Sequence, residues 1–268
     1  MLALITVVVI GALVIYANYG TIREAVITAE RKAAPVKSRV LPVPHKVRQI
    51  LLKYFPWYGR LSKENRIRFE KKLVKFLYSK RFIPRGVPEV TIEAKVLISA
   101  SAAQLTFGLP DVYLTHFKKI LVYPNDYYSS ITRRYHKGEV NPLFGIIVIS
   151  WQSFIDGYID QGDSVNLGLH EMAHALRLEN IIRSREYKFF DPAVLEQLDR
   201  FANDFCNGPQ TEHSSFLRPY ACTNVHEFFS VAVENFFERS AAMKLALPDL
   251  YKIISKLLNQ DPLQLIDA

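Results

Sequence analysis

With 268 residues, 49% of them hydrophobic and 22% charged, the chain can bury one substantial core, and intrinsic disorder is excluded as its overall state. Its net charge of +8 is segregated: residues 20–85 carry 18 Lys or Arg against four acidic residues, a local +14 that leaves −6 elsewhere. No repeated or aromatic-interleaved basic motif accompanies that charge, so no nucleic acid is expected as a partner, and two cysteines exclude a disulfide framework while leaving a single pair or free thiols open.

The first element is apolar. Met1 to Ala17 carries no charged side chain, and Tyr16 and Tyr19 stand where an aromatic belt would close it. At about 1.5 Å per residue the run reaches roughly 25 Å, the short end of what crosses a bilayer. A cleaved signal peptide would bring a basic residue before the run and an A-x-A-like site after it, and neither is present. A core helix would show a polar face. The reading adopted is a transmembrane anchor over 1–19, a basic linker over 20–50 and a globular domain over 51–268. Arg23, Arg31, Lys32, Lys37, Arg39, Lys46 and Arg48 all follow the span, which predicts a single-pass protein with its domain in the cytoplasm. Pro35, Pro42 and Pro44 suit an extended tether.

Residues 55–82 predict a helix capped by Ser62, with Ile67, Leu73, Val74, Phe76 and Leu77 inward and the charges on a solvated face. Residues 86–90 predict a turn and short strand, and Thr91 a cap for an apolar core helix ended by Gly108. Lys119 to Tyr123 and Gly145 to Ser150 are strands, with 128–142 between them exposed and irregular. The second strand leads toward the most informative helix. It is a candidate edge for pairing with an extended substrate, and a plain core strand would read the same.

That helix, predicted from Asp163 to Asn180 with Asp163 or Ser164 as its cap, carries His170, Glu171 and His174 in the pattern HExxH. Positions i and i+4 lie one turn apart on one face, so both imidazoles can reach one ion while Glu171 reaches a water on it. Val165, Leu167, Leu169, Met172, Ala173, Leu176 and Leu178 would bury most of the circumference. Short motifs also arise by chance, so a third ligand has to decide. Downstream, 223–244 predict a second buried helix capped by Asn224, with Glu227 and Glu234 on one face as candidate ligands. Glu227 would equally complete a capping box with Asn224, and His226 points about 100° away from it.

Taken in order, FPWYGRLS, ILVYP, IVISWQSF, LHEMAHAL, Tyr220 with the following EFF, ENFF and DLYKIISKLLNQDP make a pattern that resembles the Mlc titration factor A-like zinc peptidases. Their site is in turn similar to that of the anthrax lethal factor catalytic domain. The resemblance runs over most of residues 55–263 and leaves the N-terminal span outside. It implies a mostly helical α+β, zincin-like domain with a small sheet. It further implies zinc on His170, His174 and Glu227, Glu171 as general base, Tyr220 as donor to the oxyanion, and Glu234 steadying a ligand histidine through its other ring nitrogen. One departure stands out: where the family commonly has an aspartate three residues after the second histidine, this chain has Arg177, and Glu179 is the candidate substitute.

The function expected is hydrolysis of peptide bonds in a peptide or protein through a zinc-activated water, with endopeptidase and aminopeptidase action both open. An aminopeptidase would need an acid such as Asp156, Asp160 or Asp163 to hold the substrate ammonium. The alternative implied by the resemblance is a membrane-tethered binding protein that sequesters a transcriptional regulator, zinc then being structural or regulatory.

Overall fold

The computed structural model describes residues 43–129, 133–159, 162–182, 188–209 and 215–265. The predicted span, and the linker as far as residue 42, lie outside them. Among the described residues no helix is long and apolar enough to cross a membrane.

Packing begins with helix α1 (His45–Tyr54), which buries Val47, Ile50 and Leu51 and leaves its charged residues on the opposite side. The sequence predicts one helix over 55–82, and the structure divides it into three pieces. Pro56 opens a short α2 (Pro56–Arg60), and the chain turns extended at Leu61. Ser62 then accepts from the Asn65 amide to start α3 (Lys63–Ser79). Arg81 and Phe82 leave the helix altogether and belong to strand β1 (Arg81–Pro84), one turn earlier than the strand expected at 86–90. Ile67, expected inward, is 46% exposed, because the first turns of α3 project beyond the core that buries Phe69, Leu73, Phe76 and Leu77.

Two α3 charges expected in solvent are buried. Lys72 Nζ donates to the carbonyls of Leu109 and Pro110 at 2.6 and 3.3 Å. Glu70 accepts both guanidinium bonds of Arg48 at 2.8 Å and the Tyr58 hydroxyl at 2.6 Å, tying α1, α2 and α3 together. Burial alone would raise the Glu70 carboxyl, but the bonds from Arg48 and Tyr58 hold it below its ordinary value. A carboxyl lowered in the folded state contributes stability above its unfolded pKa of about 4.3 and loses it as pH falls through the folded value. Glu70→Gln should therefore lower the melting temperature at pH 7, with a difference from the parent that shrinks toward pH 3 in a pH series of thermal melts.

Thr91 caps α4 (Ile92–Leu105) as expected, its hydroxyl accepting from the Ala94 amide, and this helix is buried along nearly its whole length. After it come β2 (Lys119–Tyr123), a hairpin of β3 (Tyr127–Ser129) and β4 (Arg134–His136), then β5 (Gly138–Asn141) and β6 (Ile146–Ser150). The described residues of 128–142 are thus largely strand rather than irregular loop. The larger sheet has the order β1-β2-β6-β5, with β1, β2 and β6 parallel and β5 antiparallel to β6, Gly138 opposite Ile149 and Asn141 opposite Ile146. This order corrects the substrate-edge expectation. β6 is flanked on both sides, and its apolar run reads as a buried central strand, whereas the short polar β5 forms the edge.

The remaining helices are α5 (Trp151–Ile159), α6 (Leu167–Ile182), α7 (Pro192–Asn207), α8 (Val225–Glu238), α9 (Ser240–Ala246) and α10 (Pro248–Leu258). The second helix predicted over 223–244 is broken at Arg239. One continuous apolar core joins the helices to the larger sheet, with α6 at its centre against α4, α8 and the β5–β6 edge of the sheet. The result is the mostly helical α+β domain with a small sheet that the sequence implies. Cys206 and Cys222 are disulfide-bonded, linking the end of α7 to a 3-10 turn (Pro219–Thr223) just ahead of α8.

Candidate metal centre

The start of α6 differs from expectation in a way that serves the site. Asp163 Oδ1 accepts from the Val165 amide at 2.8 Å, closing a tight turn in which Ser164 takes φ +63°. The cap is Asn166, whose side-chain oxygen accepts from the Leu169 amide at 2.9 Å, so the helix begins at Leu167. From there Leu167, Leu169, Met172, Ala173 and Leu176 are buried, while Val165 lies before the helix and is exposed. This packing fixes the axis of α6 and presents His170 and His174 on one face, with Glu171 beside them.

The two imidazoles converge, Nε2 to Nε2 at 3.0 Å. Glu227 Oε2 lies 3.2 Å from each. Asn224 caps α8 by accepting from the amides of His226 and Glu227, and the Glu227 carboxylate turns to the histidines rather than back to its own helix end. Of the two candidate third ligands, it is Glu227 that the fold brings to the histidine pair. One donor atom each from His170, His174 and Glu227 lie within 4.8 Å of one another, the one such group of three found among the described residues. A tetrahedral ion about 2.0–2.1 Å from its ligands spaces them by roughly 3.4 Å, and two imidazoles with one carboxylate are a donor set that suits zinc. The residues fit the ion. Burial alone would raise the Glu227 carboxyl, but His170 and His174 hold it well below the carboxylate range, leaving it an anion.

Glu234, two turns along α8, sits behind the site with its side chain 1% exposed. Oε1 accepts from the Asn166 amide at 3.0 Å, Oε2 accepts from Arg218 Nη2, and Oε2 lies 3.4 Å from His170 Nδ1. It thus faces the ring nitrogen of His170 that points away from the cluster. Arg218 also donates through Nη1 to the Ser164 carbonyl, tying the turn before α6 to the same carboxylate. The sequence reading missed both helpers. Asn166, directly before the apolar helical run that starts at Leu167, carried a readable capping signal. Arg218, alone in a connecting segment, carried none.

Tyr220 stands in the 3-10 turn, half-exposed, with its ring centroid 6.1 Å from that of His170. Burial and the neighbouring Glu227 push its phenol up to about 12. Arg177 turns away from the ligand imidazoles and donates to Asp199. Glu179 does not take the missing aspartate's place: its two oxygens accept from Thr115, by amide and hydroxyl, and from the His116 amide. That geometry follows from helical phase, since position 179 is five residues past His174 and lies nearly opposite it around α6. Glu171 is buried, and burial pushes its carboxyl up against the opposing pull of His170 and His174.

The site opens into a groove with two lobes of about 600 and 410 Å³ that share His136, Gly138, His170, Glu171 and Tyr220. Asp156 and Asp163 line the larger lobe, and Glu139, Leu178 and His226 the smaller; Asp160 lies outside the described residues.

Residues 27–258 match the family model described as glucose-regulated metallo-peptidase M90. The chain belongs to this family. An uncharacterized protein of Synechocystis sp. is 25% identical to this M90 member over 241 residues, covering 83% of this chain and 86% of the relative. Mlc titration factor A of Pectobacterium atrosepticum is 25% identical over 228 residues, 78% of this chain and 84% of its own length. The protein of the same name from Yersinia pestis is 24% identical over 233 residues, 78% and 82% respectively. Membership of a metallopeptidase family implies a metal, and the His170–His174–Glu227 cluster offers a site for it.

Proposed function

We propose that this M90 member is a zinc-dependent peptidase with Glu171 as its general base. The observation that carries the reading is the convergence of His170, His174 and Glu227 beside a buried Glu171, in a groove bounded by the edge strand β5. Zinc, when bound, supplies a Lewis acid that polarises a carbonyl and lowers the pKa of water toward about 7. His170, His174 and Glu227 would hold it.

Glu171 has the carboxylate that would take a proton from the attacking water and return it to the leaving amine, and its burial moves its affinity toward that task. Tyr220 remains protonated across the physiological range and supplies a hydrogen-bond donor for the charge developing on the carbonyl oxygen. Tyr220→Phe is expected to lower kcat by about 10²-fold, as the loss of one such donor does, with zinc content unchanged by elemental analysis. Glu234 is placed to accept from the His170 Nδ1–H, and Arg218 donates to Glu234 in turn. The outer edge of β5, unpaired among the described strands, offers backbone groups for pairing with an extended peptide, and the groove continues on both sides of the ligands, which favours cleavage within a chain over removal of its first residue.

A second reading is favoured by two relatives named Mlc titration factor A: capture of a transcriptional regulator, with zinc structural. Incubating the zinc-loaded full chain and its Glu171→Gln variant with a defined peptide mixture separates the two. Cleavage by the parent alone supports the peptidase and its cut positions give its type, whereas zinc retention by both without cleavage moves the function to capture.

The charge pattern after residue 20 supports a domain tethered on the cytoplasmic side by the N-terminal span. The disulfide pulls the other way, since such bonds persist mainly in oxidising compartments. A reporter fused after Ala268 and active only outside the cytoplasm would overturn the cytoplasmic placement.

A further inference from the structure

Gly138 opens the edge strand at the junction of the two groove lobes, and it lines both of them. A glycine in a strand weakens it, so its presence asks for a reason. Backbone freedom is not that reason, because the described glycines with positive φ are Gly86 and Gly145. The reason lies across the groove. A Cβ at position 138 would stand 2.4 Å from Glu171 Oε1, 2.5 Å from Cδ and 2.6 Å from Cγ. Real Cβ atoms essentially never come so close to another heavy atom, and swinging the carboxylate alone does not relieve the overlap, because Cγ is within it. Glu171 would have to change χ1, and in a helix one of the three staggered wells is already closed by the preceding turn. Residues of α6 on either side of Glu171 are buried, so the helix cannot simply withdraw.

We infer that Gly138 is a positioning residue: its missing side chain is the slot that holds the Glu171 carboxylate against the edge strand, beside the ligand histidines. The inference rests on the reading of Glu171 as general base. It also sets how closely a peptide paired with β5 can pass the base, since any side chain at 138 would separate the two.

The test uses the full chain as parent, Gly138→Ala, Glu171→Gln and the double variant Gly138→Ala/Glu171→Ala. With fluorescein-labelled casein as probe, Gly138→Ala is expected to lose about 10²-fold in kcat/KM, the size of effect a displacement near 1 Å produces. Its zinc affinity, by competition with a chelating dye, should stay within about threefold, because none of the three ligands moves. A second arm needs no turnover. The visible spectrum of the cobalt(II)-loaded protein should titrate with a pH midpoint that Glu171→Gln shifts, and Gly138→Ala should shift it in the same direction. A spectrum and midpoint equal to the parent's would overturn the inference, whatever the activity. If casein is left intact by the parent, the peptidase reading fails while the spectral arm still decides where Glu171 sits. If Gly138→Ala lowers the melting temperature, the double variant should restore it, since the overlap is with that one side chain; no recovery places the cause elsewhere and overturns the slot.

Discussion

Glu171→Gln is expected to reduce peptide cleavage by about 10²–10⁴-fold, the usual contribution of a positioned general base, while the protein keeps its zinc and its fold. The amide is close to the carboxylate in size, so it fills the same slot beside Gly138, and the three ligand atoms on His170, His174 and Glu227 are untouched. What it loses is the ability to accept a proton from water and hand it on. The burial that raises the Glu171 carboxyl would also make the neutral amide easy to accommodate, so stability should hold or rise slightly. Steady-state kinetics, elemental analysis and a thermal melt on the same preparations check all three parts. Equal cleavage by parent and variant would remove Glu171 from the chemistry.

The second large effect belongs to the ligands. His174→Ala should abolish the stabilisation that zinc gives the parent. An ion that binds only the folded state contributes about 2.7 kcal/mol when present at a hundredfold excess over its Kd. For a domain of this size that corresponds to a rise in melting temperature of roughly 5–10 °C. Removing His174 leaves His170 and Glu227 facing each other with no second imidazole, and the rise should vanish. His226→Ala is the control: that residue is next to Glu227 in sequence and lines the groove, but it offers no atom to the cluster, so the zinc-dependent rise should persist. Differential scanning with and without added zinc gives both answers. A His174→Ala variant with an undiminished rise would exclude the cluster as the binding site.

How far the site was legible depended on periodicity. His170 and His174 announce themselves because four residues make one helical turn, and the apolar residues around them mark a helix packed on most sides. Glu227 and Glu234 were equivalent by that argument, being seven residues apart on one face, and only the packing of α8 on α6 separates the one that reaches the histidines from the one that lies behind. β5 was missed because it offers no apolar alternation to read: Gly138, Glu139 and Asn141 are loop residues by propensity, recruited as strand by pairing with β6. The same blindness left β6 open between a substrate edge and a core strand, and its place between β2 and β5 decides for the core strand. The helix expected over 55–82 kept its Ser62 cap but failed ahead of it, where Pro56 is a start signal that a continuous reading ignored. Glu70 and Lys72 show a further limit: charge in a helix says solvent until a partner from a distant segment, here Arg48 or the carbonyls of 109–110, takes it inside.

The disulfide between Cys206 and Cys222 has a consequence for the whole site. Its two ends are 16 residues apart, and the loop it closes contains both Arg218 and Tyr220. In a chain-entropy account, closing a loop near 15 residues removes about 3 kcal/mol of freedom from the unfolded chain, and the freedom removed is that of the enclosed segment. The cross-link touches neither the ligands nor the base, yet it restrains the arm that braces His170 and the arm that would meet the oxyanion. The cross-link thus acts on the supports of the centre without altering a single group that does chemistry, and such bonds persist mainly where thiols are oxidised.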